Sequence, residues 1–521
     1  MAVTNGKGSV FHKLPTEMAN NIFDLLPNCD IKNLRLTCRN LNRHAPLRFS
    51  RVFISANPLN IEVFLSIANH DKFRQQVKEL IWDDATLHSL GSKDNDSDND
   101  YSSDGFETDD NDYQGHSRFQ KRCREAIEDV ESRLVDKADG NEQQRLLDNL
   151  MPSRESLPYY ERLVKEQAAV LESGADEQAV RYALRDLRFP NLMKVTVTPA
   201  THGFLFFPLY ETPMIRAFPR GFVYPIPRGW TYAIGTYVPG RAEPWECEDE
   251  KKKWRGVQIM SRLLAYPQIP FNVSELSFNN HHLPTGINHY VFEQPNEEYD
   301  NLCRILEQPG FKHITLSVLM GWLSNQDAED WNFLKKGKIR SALAKACNLK
   351  EITFQTDYPV DQHCWESPAV DTVSLFDIFP INEWSTGKSL KHFGLSGMQV
   401  TQEELISVLK KLQPTLESIE LSFLSVIEGT GNHAGILADI RDKLGWRHRP
   451  IDQRIRVRML VRLNQATGHY ICLDKEVNDY LYSDGPPPFG IDESGGSWAR
   501  ITSGAGTEYD EFDPDYVRPY T

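Results

Sequence analysis

The side chains best suited to metal binding form two small groups. His281, His282 and His289 lie close together in NNHHLPTGINH, and His363 adjoins Cys364. Zinc requires three or four ligands at defined spacing, and neither group has an obvious carboxylate companion in the sequence. The spacing therefore favours loop histidines over a metal site.

A second candidate lies in the acidic segment Asp94–Asp112, which holds nine acidic residues and no basic ones, and so −9 of the net charge of −15. Asp100, Ser102, Asp104 and Gly105 match the first half of an EF-hand loop, but the glutamate at its twelfth position is missing. Mutual repulsion predicts a solvated acidic loop.

Motifs for catalysis are missing from the sequence. It has no G-x-x-x-x-G-K-[ST], no G-x-S-x-G, no H-E-x-x-H and no G-x-G-x-x-G after a strand. The eight cysteines are dispersed, with no C-x-x-C pair. We therefore expect no catalytic residues, no metal and no cofactor, although an enzyme with an unrecognised site stays an alternative.

Composition narrows the class of protein. The chain has 521 residues, of which 40% are apolar and 25% charged, enough for a sizeable core and more than one domain. Its 58 basic and 73 acidic residues argue against broad nucleic-acid binding. No apolar run could span a membrane and no secretory signal is recognised, so we expect no membrane partner and a cytoplasmic or nuclear protein.

Two short amphipathic helices are predicted for residues 14–44. Pro15 suits a first turn, Pro27 ends the first helix, and Asp30 can cap the second. Their apolar residues recur at helical spacing; they are Leu14, Met18, Ile22, Leu25 and Leu26, then Ile31, Leu34, Cys38 and Leu41. So short a segment cannot bury this face alone. It is either the first layer of a larger core or a docking module.

This stretch resembles the F-box. The matching residues are Leu14, Pro15, Glu17, Met18, Ile22, Leu26, Pro27, Asp30, Ile31, Leu34, Leu36, Cys38 and Arg39. Ala19, Thr37 and Leu41 depart from the pattern and weaken the expected affinity. The following run, Ala45–Asp84, looks like F-box proteins of filamentous fungi.

The resemblance implies docking on the Skp-type adaptor of a cullin–RING ubiquitin ligase. The expected contact residues are Leu14, Pro15, Glu17, Met18, Ile22, Leu25, Leu26, Pro27, Ile31, Leu34 and Leu36.

A pattern of apolar-x-x-apolar-x-apolar recurs seven times beyond this stretch. Helical signals precede several copies, including a capping box at Thr401 and Glu404. The copies are Val77-Leu80-Trp82, Leu192-Val195-Val197, Val273-Leu276-Phe278, Phe311-Ile314-Leu316, Leu349-Ile352-Phe354, Leu390-Phe393-Leu395 and Leu416-Ile419-Leu421. They resemble an irregular leucine-rich-repeat solenoid. The alternative is a generic α/β domain with parallel strands.

The predicted fold is therefore α+β or α/β, a helical F-box followed by an irregular leucine-rich-repeat-like solenoid of helix–strand units. Its parts are a flexible N-terminus (1–12), the F-box (13–46), the repeat domain (47–426), and a cap with a flexible tail (427–521). The repeat domain contains a disordered acidic loop over 89–115 and two insertions, a charged helical segment over 115–190 and a segment over 199–245 rich in proline and aromatic residues. The second either covers the solenoid or binds a partner.

The function expected from this organisation is substrate recognition within a Skp–cullin–F-box ubiquitin ligase, with the repeat domain holding an unidentified target protein. Alternation along the strands puts small polar residues on the face opposite the core. The candidate target-binding residues are Thr315, Ser317, Thr353, Gln355, Ser396, Glu420 and Ser422. An F-box scaffold acting outside any ligase is the first alternative.

Overall fold

The computed structural model describes residues 14–89, 111–134, 141–231, 242–266, 272–320, 332–357, 373–387, 389–462, 468–490 and 500–520. The helices are α1 (Thr16–Leu25), α2 (Asn28–Thr37), α3 (Arg39–His44), α4 (Pro58–Ala68), α5 (Asn111–Leu134), α6 (Asn141–Leu147), α7 (Ser153–Ser173), α8 (Ala175–Arg185), α9 (Pro213–Arg216), α10 (Glu248–Lys252), α11 (Arg255–Ala265), α12 (Glu297–Leu306), α13 (Asn332–Lys335), α14 (Lys338–Ala344), α15 (Leu375–Ile378), α16 (Ile381–Gly387), α17 (Gln402–Leu412), α18 (His433–Asp442) and α19 (Asp474–Tyr482). The strands are β1 (Arg51–Ile54), β2 (Glu79–Asp83), β3 (Lys194–Thr198), β4 (Glu275–Phe278), β5 (Ile287–Asn288), β6 (His313–Leu319), β7 (Glu351–Thr356), β8 (His392–Ser396), β9 (Gln399–Val400), β10 (Ser418–Ser422), β11 (Ser425–Val426), β12 (Arg456–Arg458), β13 (Leu460–Arg462), β14 (His469–Cys472), β15 (Thr507–Asp510) and β16 (Asp513–Pro519).

The main sheet has ten strands, and all of their pairings are parallel. Nine of them follow the order of the chain from β1 at one edge to β12 at the other, and β5 pairs with β6. Parallel neighbours need a crossover between them. Helices such as α4, α8, α11, α12, α17 and α18 supply it, and their apolar faces share one core with the sheet.

The second and third residues of all seven predicted triplets lie in strands of this sheet, and the first lies two positions before the strand. The middle residue of each triplet pairs with that of the next strand, and Val52 and Val457 extend the row to both edges. The row consists of Val52, Leu80, Val195, Leu276, Ile314, Ile352, Phe393, Ile419 and Val457, each at most 2% exposed. We refer to it as the apolar row.

A repeated asparagine contact links the turns that precede the strands. The side chain of Asn191 donates to the carbonyl oxygen of Gln75 (2.7 Å), that of Asn272 to Pro190 (3.2 Å), and that of Asn348 to Pro309 (3.0 Å). Each asparagine stands directly before the first apolar residue of its triplet. The same hydrogen bond therefore links a helix–strand unit to an earlier one at three places in the sheet.

The helical segment after β2 and the aromatic insertion pack on each other. Phe119 of α5 and Tyr160 of α7 form a second apolar cluster with Leu205, Phe222 and Tyr224. Trp230 joins the main core instead. Phe222 and Tyr224 therefore pack against the helical segment, and Trp230 packs in the core of the main sheet.

Two predicted boundaries differ from the structure. Helix α5 begins at Asn111, inside the predicted acidic loop, and the first half of the EF-hand-like sequence, with residues 90–110, lies outside the described residues. The predicted flexible tail forms β15 and β16, which complete a four-stranded antiparallel sheet with β13 and β14. Alternation of polar and apolar residues is weak there, so the sequence alone did not reveal these strands.

Helix α19 closes the outer edge of β12. The side-chain amide of Asn478 accepts from the amide of Val457 (3.2 Å) and donates to its carbonyl (2.8 Å). Tyr482 makes the same two contacts with Ile455 through its hydroxyl (3.0 and 2.7 Å), and Asp474 accepts from the amide of Met459 (2.8 Å). These side chains, spaced four residues apart on one helical face, occupy the backbone groups of an otherwise open edge.

We predict that Asn478→Ala lowers the free energy of unfolding by about 1–3 kcal/mol, because two backbone groups of β12 lose their partner. Urea denaturation measures the effect. Lys475→Ala, at an exposed position of the same helix, is the matched control. Equal midpoints for the two variants would contradict the edge-closing role.

Candidate functional site

Helix α1 has two apolar faces that point in different directions. Phe23, only 2% exposed, packs inward with Ala19 and Leu26. Met18 and Leu25 lie outside and are 54% and 85% exposed. The apolar residues recognised from their helical spacing in the sequence therefore include Met18 and Leu25, which point outward. They did not include Phe23, the side chain that anchors the helix.

The inward face belongs to a small core of its own. Its buried members are Phe23, Ile31, Leu41 and Ala45, and Leu34 packs against them. The prediction that Ile31 contacts a partner is wrong for this structure, because its side chain is 0% exposed. Three short helices need an internal core to hold together, and Ile31 supplies part of it.

The other predicted docking residues remain on or near the surface. Leu36 of α2 is 85% exposed. Pro15, Glu17 and Pro27 are exposed as well, and Leu14, Ile22, Leu26 and Leu34 are half-buried. Large apolar side chains exposed on one small module are candidates for contact with a partner. We call Met18, Leu25 and Leu36, with their half-buried neighbour Ile22, the outward apolar surface.

Arg48 and Asn28 fix the junction between α1 and α2. The guanidinium of Arg48 donates to the carbonyl of Asp24 (2.7 Å) and to that of Leu26, and it pairs with the Asp24 carboxylate (3.3 Å). Asn28 exchanges two hydrogen bonds with the backbone of Arg48 (2.6 and 3.0 Å). Carbonyl groups at the end of a helix lack hydrogen-bond partners within the helix. Arg48 supplies donors for the carbonyl groups of Asp24 and Leu26.

The next residue attaches this unit to the sheet. The amide of Phe49 donates to the side chain of Gln76 (3.1 Å), and its ring lies 4.5 Å from that of Phe73. Strand β1 begins two residues later. The helical unit and the first strand of the main sheet are thus joined by a short segment with contacts on both sides.

Comparison with protein families decides what this unit is. Residues 11–46 match the F-box domain. This helical unit is an F-box. F-box domains bind Skp-type adaptors within cullin ligases, and the outward apolar surface has the exposure that such docking needs. Comparison with curated proteins gives no match for the chain.

The candidate target-binding residues occupy two adjacent rows on the face of the main sheet opposite the helices. Thr315, Thr353 and Glu420 belong to one row, and Ser317, Gln355, Ser396 and Ser422 to the next. We call this side the polar face. The structure brings the seven residues together as expected from alternation.

Five of the seven are nevertheless buried, contrary to the prediction that they face water. Ser317 and Ser422 are 0% exposed, and Gln355, Ser396 and Glu420 are 3–7% exposed. For the four in the second row, the reason is their place near the carboxyl ends of the strands. There the chain that leaves each strand bonds to its neighbours, as Gly397 does to Ser422 (3.1 Å) and Leu460 to the Ser422 hydroxyl (3.3 Å). Thr315 and Thr353 are half-buried.

The histidines singled out in the sequence do have carboxylate neighbours. His281 lies 3.0 Å from Glu511 of the C-terminal sheet, and His289 lies 3.3 Å from Glu293, four residues further on. The first contact spans too much sequence to be recognised from spacing, whereas the second could have been. Among the described residues no group of three or more potential ligands could hold a metal; His363 and Cys364 lie outside them.

A buried polar cluster escaped the sequence analysis. His202 hydrogen-bonds the Tyr224 hydroxyl (3.0 Å) and lies 3.8 Å from the Asp83 carboxylate. Burial lowers the pKa of His202 to about 3 and raises that of Asp83 to about 7. Asp83 and His202 are at most 3% exposed and Tyr224 5%, so a substrate could not reach them in this conformation. Their arrangement suits packing better than acid–base chemistry.

None of the helices in the described ranges is long and apolar enough to cross a bilayer.

The two faces of α1 should respond differently to truncation. Phe23→Ala removes a buried ring, and we expect a loss of about 3–5 kcal/mol in the stability of the F-box. Leu25→Ala removes an exposed side chain and should change stability by less than about 0.5 kcal/mol. Hydrogen exchange of α1–α3 amides measures both, and similar exchange rates in the two variants would contradict the assignment of faces.

A pH series tests the buried state of Asp83. In the unfolded chain its carboxyl ionises near pH 4, whereas in the folded chain burial, with a smaller contribution from Asp84, holds the pKa at about 7. Folding stability should therefore be highest below pH 4 for this group and fall as the pH rises towards 7. Asp83→Asn should lack that fall and gain stability relative to the wild type between pH 4 and 7. The exposed control Asp452→Asn should show no such trend; an equal trend in both variants would rule out the buried state.

Proposed function

We propose that this protein is the substrate-recognition subunit of a Skp–cullin–F-box ubiquitin ligase. The observation that carries the proposal is an F-box whose outward apolar surface is exposed while its own core is complete. The unit gains nothing for its own packing from Met18, Leu25 and Leu36, so their exposure is explained by a partner.

The parallel sheet is the part that we assign to target binding. Strands in chain order, the continuous apolar row and the repeated asparagine contact support a leucine-rich-repeat-like solenoid. Such a solenoid presents a long surface whose position relative to its first strand is fixed. Since β1 follows the F-box directly, a protein bound to the sheet is held close to the Skp-type subunit.

The mechanism needs no catalytic residue in this chain. Holding a target near the ubiquitin-charged enzyme raises the effective concentration of its lysines at the thioester. We accordingly propose an adaptor that is not itself an enzyme, acting in the cytoplasm or nucleus. The resemblance of Ala45–Asp84 to filamentous-fungal F-box proteins stays a prediction.

A binding experiment with two double variants tests the F-box assignment. Leu25→Asp with Leu36→Asp puts charge into the outward apolar surface and should weaken binding of a purified Skp-type subunit, by roughly 30-fold for each anchor lost. Leu171→Asp with Ile451→Asp changes two exposed apolar side chains elsewhere (36% and 81% exposed) and should leave binding unchanged. Calorimetric titration of the two variants and the wild type gives the dissociation constants.

The outcomes separate the alternatives. Equal affinity of both variants would overturn docking through this surface. Capture of the Skp-type subunit from cells together with a cullin supports the ligase, whereas capture without a cullin supports a scaffold outside it. Capture of neither would leave an enzyme as the remaining hypothesis.

A further inference from the structure

A groove lies at the amino edge of the main sheet, beside the turns that lead into β2, β3, β4 and β6. Its volume is about 810 Å³, within the range of cavities that hold ligands. The residues directly before these four strands all line it; they are Lys78, Met193, Ser274 and Lys312. The F-box joins the sheet at the same edge, because the amide of Lys78 donates to the carbonyl of Ser50, the residue before β1 (2.9 Å). We call this cavity the amino-edge groove.

Apolar side chains line part of the groove and are open to solvent. Met193 is 43% exposed and Tyr266 is 52% exposed, and Pro190 and Pro309 lie beside them in the lining. Gly310 adds no side chain, and a Cβ at its position would meet nothing but its chain neighbours within 4 Å. An apolar group of a ligand can therefore be buried here without displacing any of these lining residues.

Three side-chain amides in the lining have occupied nitrogen atoms and free oxygen atoms. The nitrogen atoms of Asn191 and Asn272 make the asparagine contacts described above, and that of Gln308 donates to the carbonyl of Leu264 (3.0 Å). None of the three oxygen atoms accepts a hydrogen bond from a described residue. They are available as acceptors for N–H groups of a ligand. A peptide backbone carries such a donor at almost every residue, so the amides favour a peptide over a phosphate-rich ligand.

The groove also carries positive charge. Lys78 and Lys312 are exposed, and none of the described residues that line the groove is acidic. No described carboxylate forms an ion pair with either ammonium group. The two lysines are therefore available to negatively charged groups of a ligand.

The carboxylates closest in sequence do not offset this charge. At the start of the strands, two carboxylates and two cations on the polar face balance each other; they are Glu79, Glu275, Arg51 and Lys194. Both cations bind Glu79 (2.7 and 3.1 Å). Glu307, next to the groove residue Gln308, pairs with Lys345. The charge of Lys78 and Lys312 thus stays in excess at this edge, although the net charge of the chain is −15.

Backbone hydrogen bonds place the two lysines three strands apart. Met193 donates to Lys78 (2.9 Å), Ser274 to Met193 (2.8 Å) and Lys312 to Ser274 (2.8 Å). At about 4.8 Å for each strand, the lysine backbones are about 14 Å apart, which is the length of about four residues of an extended chain. Residues i, i+2 and i+4 of such a chain share one side. Acidic side chains at i and i+4 can therefore meet the lysines while an apolar side chain at i+2 meets Met193.

We propose that the amino-edge groove binds an extended segment of the target protein with the pattern acidic-x-apolar-x-acidic. Lys78 and Lys312 bind its carboxylates, the three amide oxygen atoms accept from its backbone, and its apolar side chain lies against Met193 and Tyr266. The inference rests on the proposed function, because it takes the bound segment to belong to the target. It adds the chemistry of that segment and the edge of the sheet that selects it.

Fluorescence anisotropy with the labelled peptide Ser-Asp-Ser-Leu-Ser-Asp-Ser tests the proposal on the full chain, alone and bound to a purified Skp-type subunit. Lys78→Glu with Lys312→Glu should weaken peptide binding at least tenfold, because like charges then face each other. The matched control is Lys165→Glu with Lys475→Glu, which reverses two exposed lysines on α7 and α19 and should bind as the wild type. Unchanged binding in the first variant, or an equal loss in both, would overturn the site.

A second pair of variants tests the groove by its shape. Gly310 does not have a positive φ and faces open space, so Gly310→Trp should fold, fill the groove and lose peptide binding at least tenfold. Gly387→Trp is the matched control, at an exposed position of α16 where a Cβ also meets nothing nearby. Full peptide binding by Gly310→Trp, with the thermal transition of the wild type, would contradict the proposal.

Changes in the peptide test the pattern and the class of ligand. Replacing its Leu by Ser, or placing the two Asp side by side, should each weaken binding, and equal affinity of all three peptides would overturn the pattern. An oligothymidylate of equal charge that displaces the labelled peptide as well as the unlabelled peptide does would overturn the choice of a peptide. Binding of the Skp-type subunit is measured on the same samples. Its absence in the wild type, with the peptide results as expected, would count against the proposed function alone.

Discussion

Register between successive strands is the constraint on which the rest of this structure depends. Nine of the ten strands of the main sheet each place one residue of the apolar row opposite that of the neighbouring strand, from Val52 to Val457. A slip by one residue would turn these side chains to the polar face. Their burial against the helices therefore fixes the register, and the fixed register in turn aligns the turns, the asparagine contacts and the polar rows.

A sheet built this way has two ends, and the chain closes them differently. At the β12 end, α19 occupies the backbone edge with side chains of its own. At the β1 end, the segment around Arg48 and Phe49 bonds to the F-box on one side and to Gln76 on the other. One end is thus protected against pairing with other strands, and the other carries the module that docks.

The sequence predicted those strands and helices that depend only on the pattern of residues close together in the chain. The second and third residues of all seven triplets lie in strands because a buried position in a parallel strand demands an apolar side chain. Helical periodicity likewise identified α1 and α2. Periodicity cannot tell which of two apolar faces is outside, so Phe23 was missed and Ile31 was misplaced.

Features that depend on distant parts of the chain could not be predicted. Ser317 and Ser422 are small and polar, as residues facing water are, yet both are fully buried, and Leu460 of the C-terminal sheet donates to the Ser422 hydroxyl. The contact between His281 and Glu511 joins a turn after β4 to the C-terminal sheet. In both cases the contacting residue lies far away in the sequence, so the local spacing of residues does not predict the contact.

The separation of the two surfaces bears on the adaptor role that we propose. Its docking surface is apolar and carried by a unit with a separate core, so exposing Leu25 and Leu36 does not weaken the unit's packing. Its polar face is held by a sheet whose core lies on the opposite side. A substitution at either surface therefore leaves the other's packing intact. The two surfaces are tied together through β1 and the segment before it, so binding at one determines where the other is presented. For the adaptor role that we propose, this proximity is the contribution that the chain has to make.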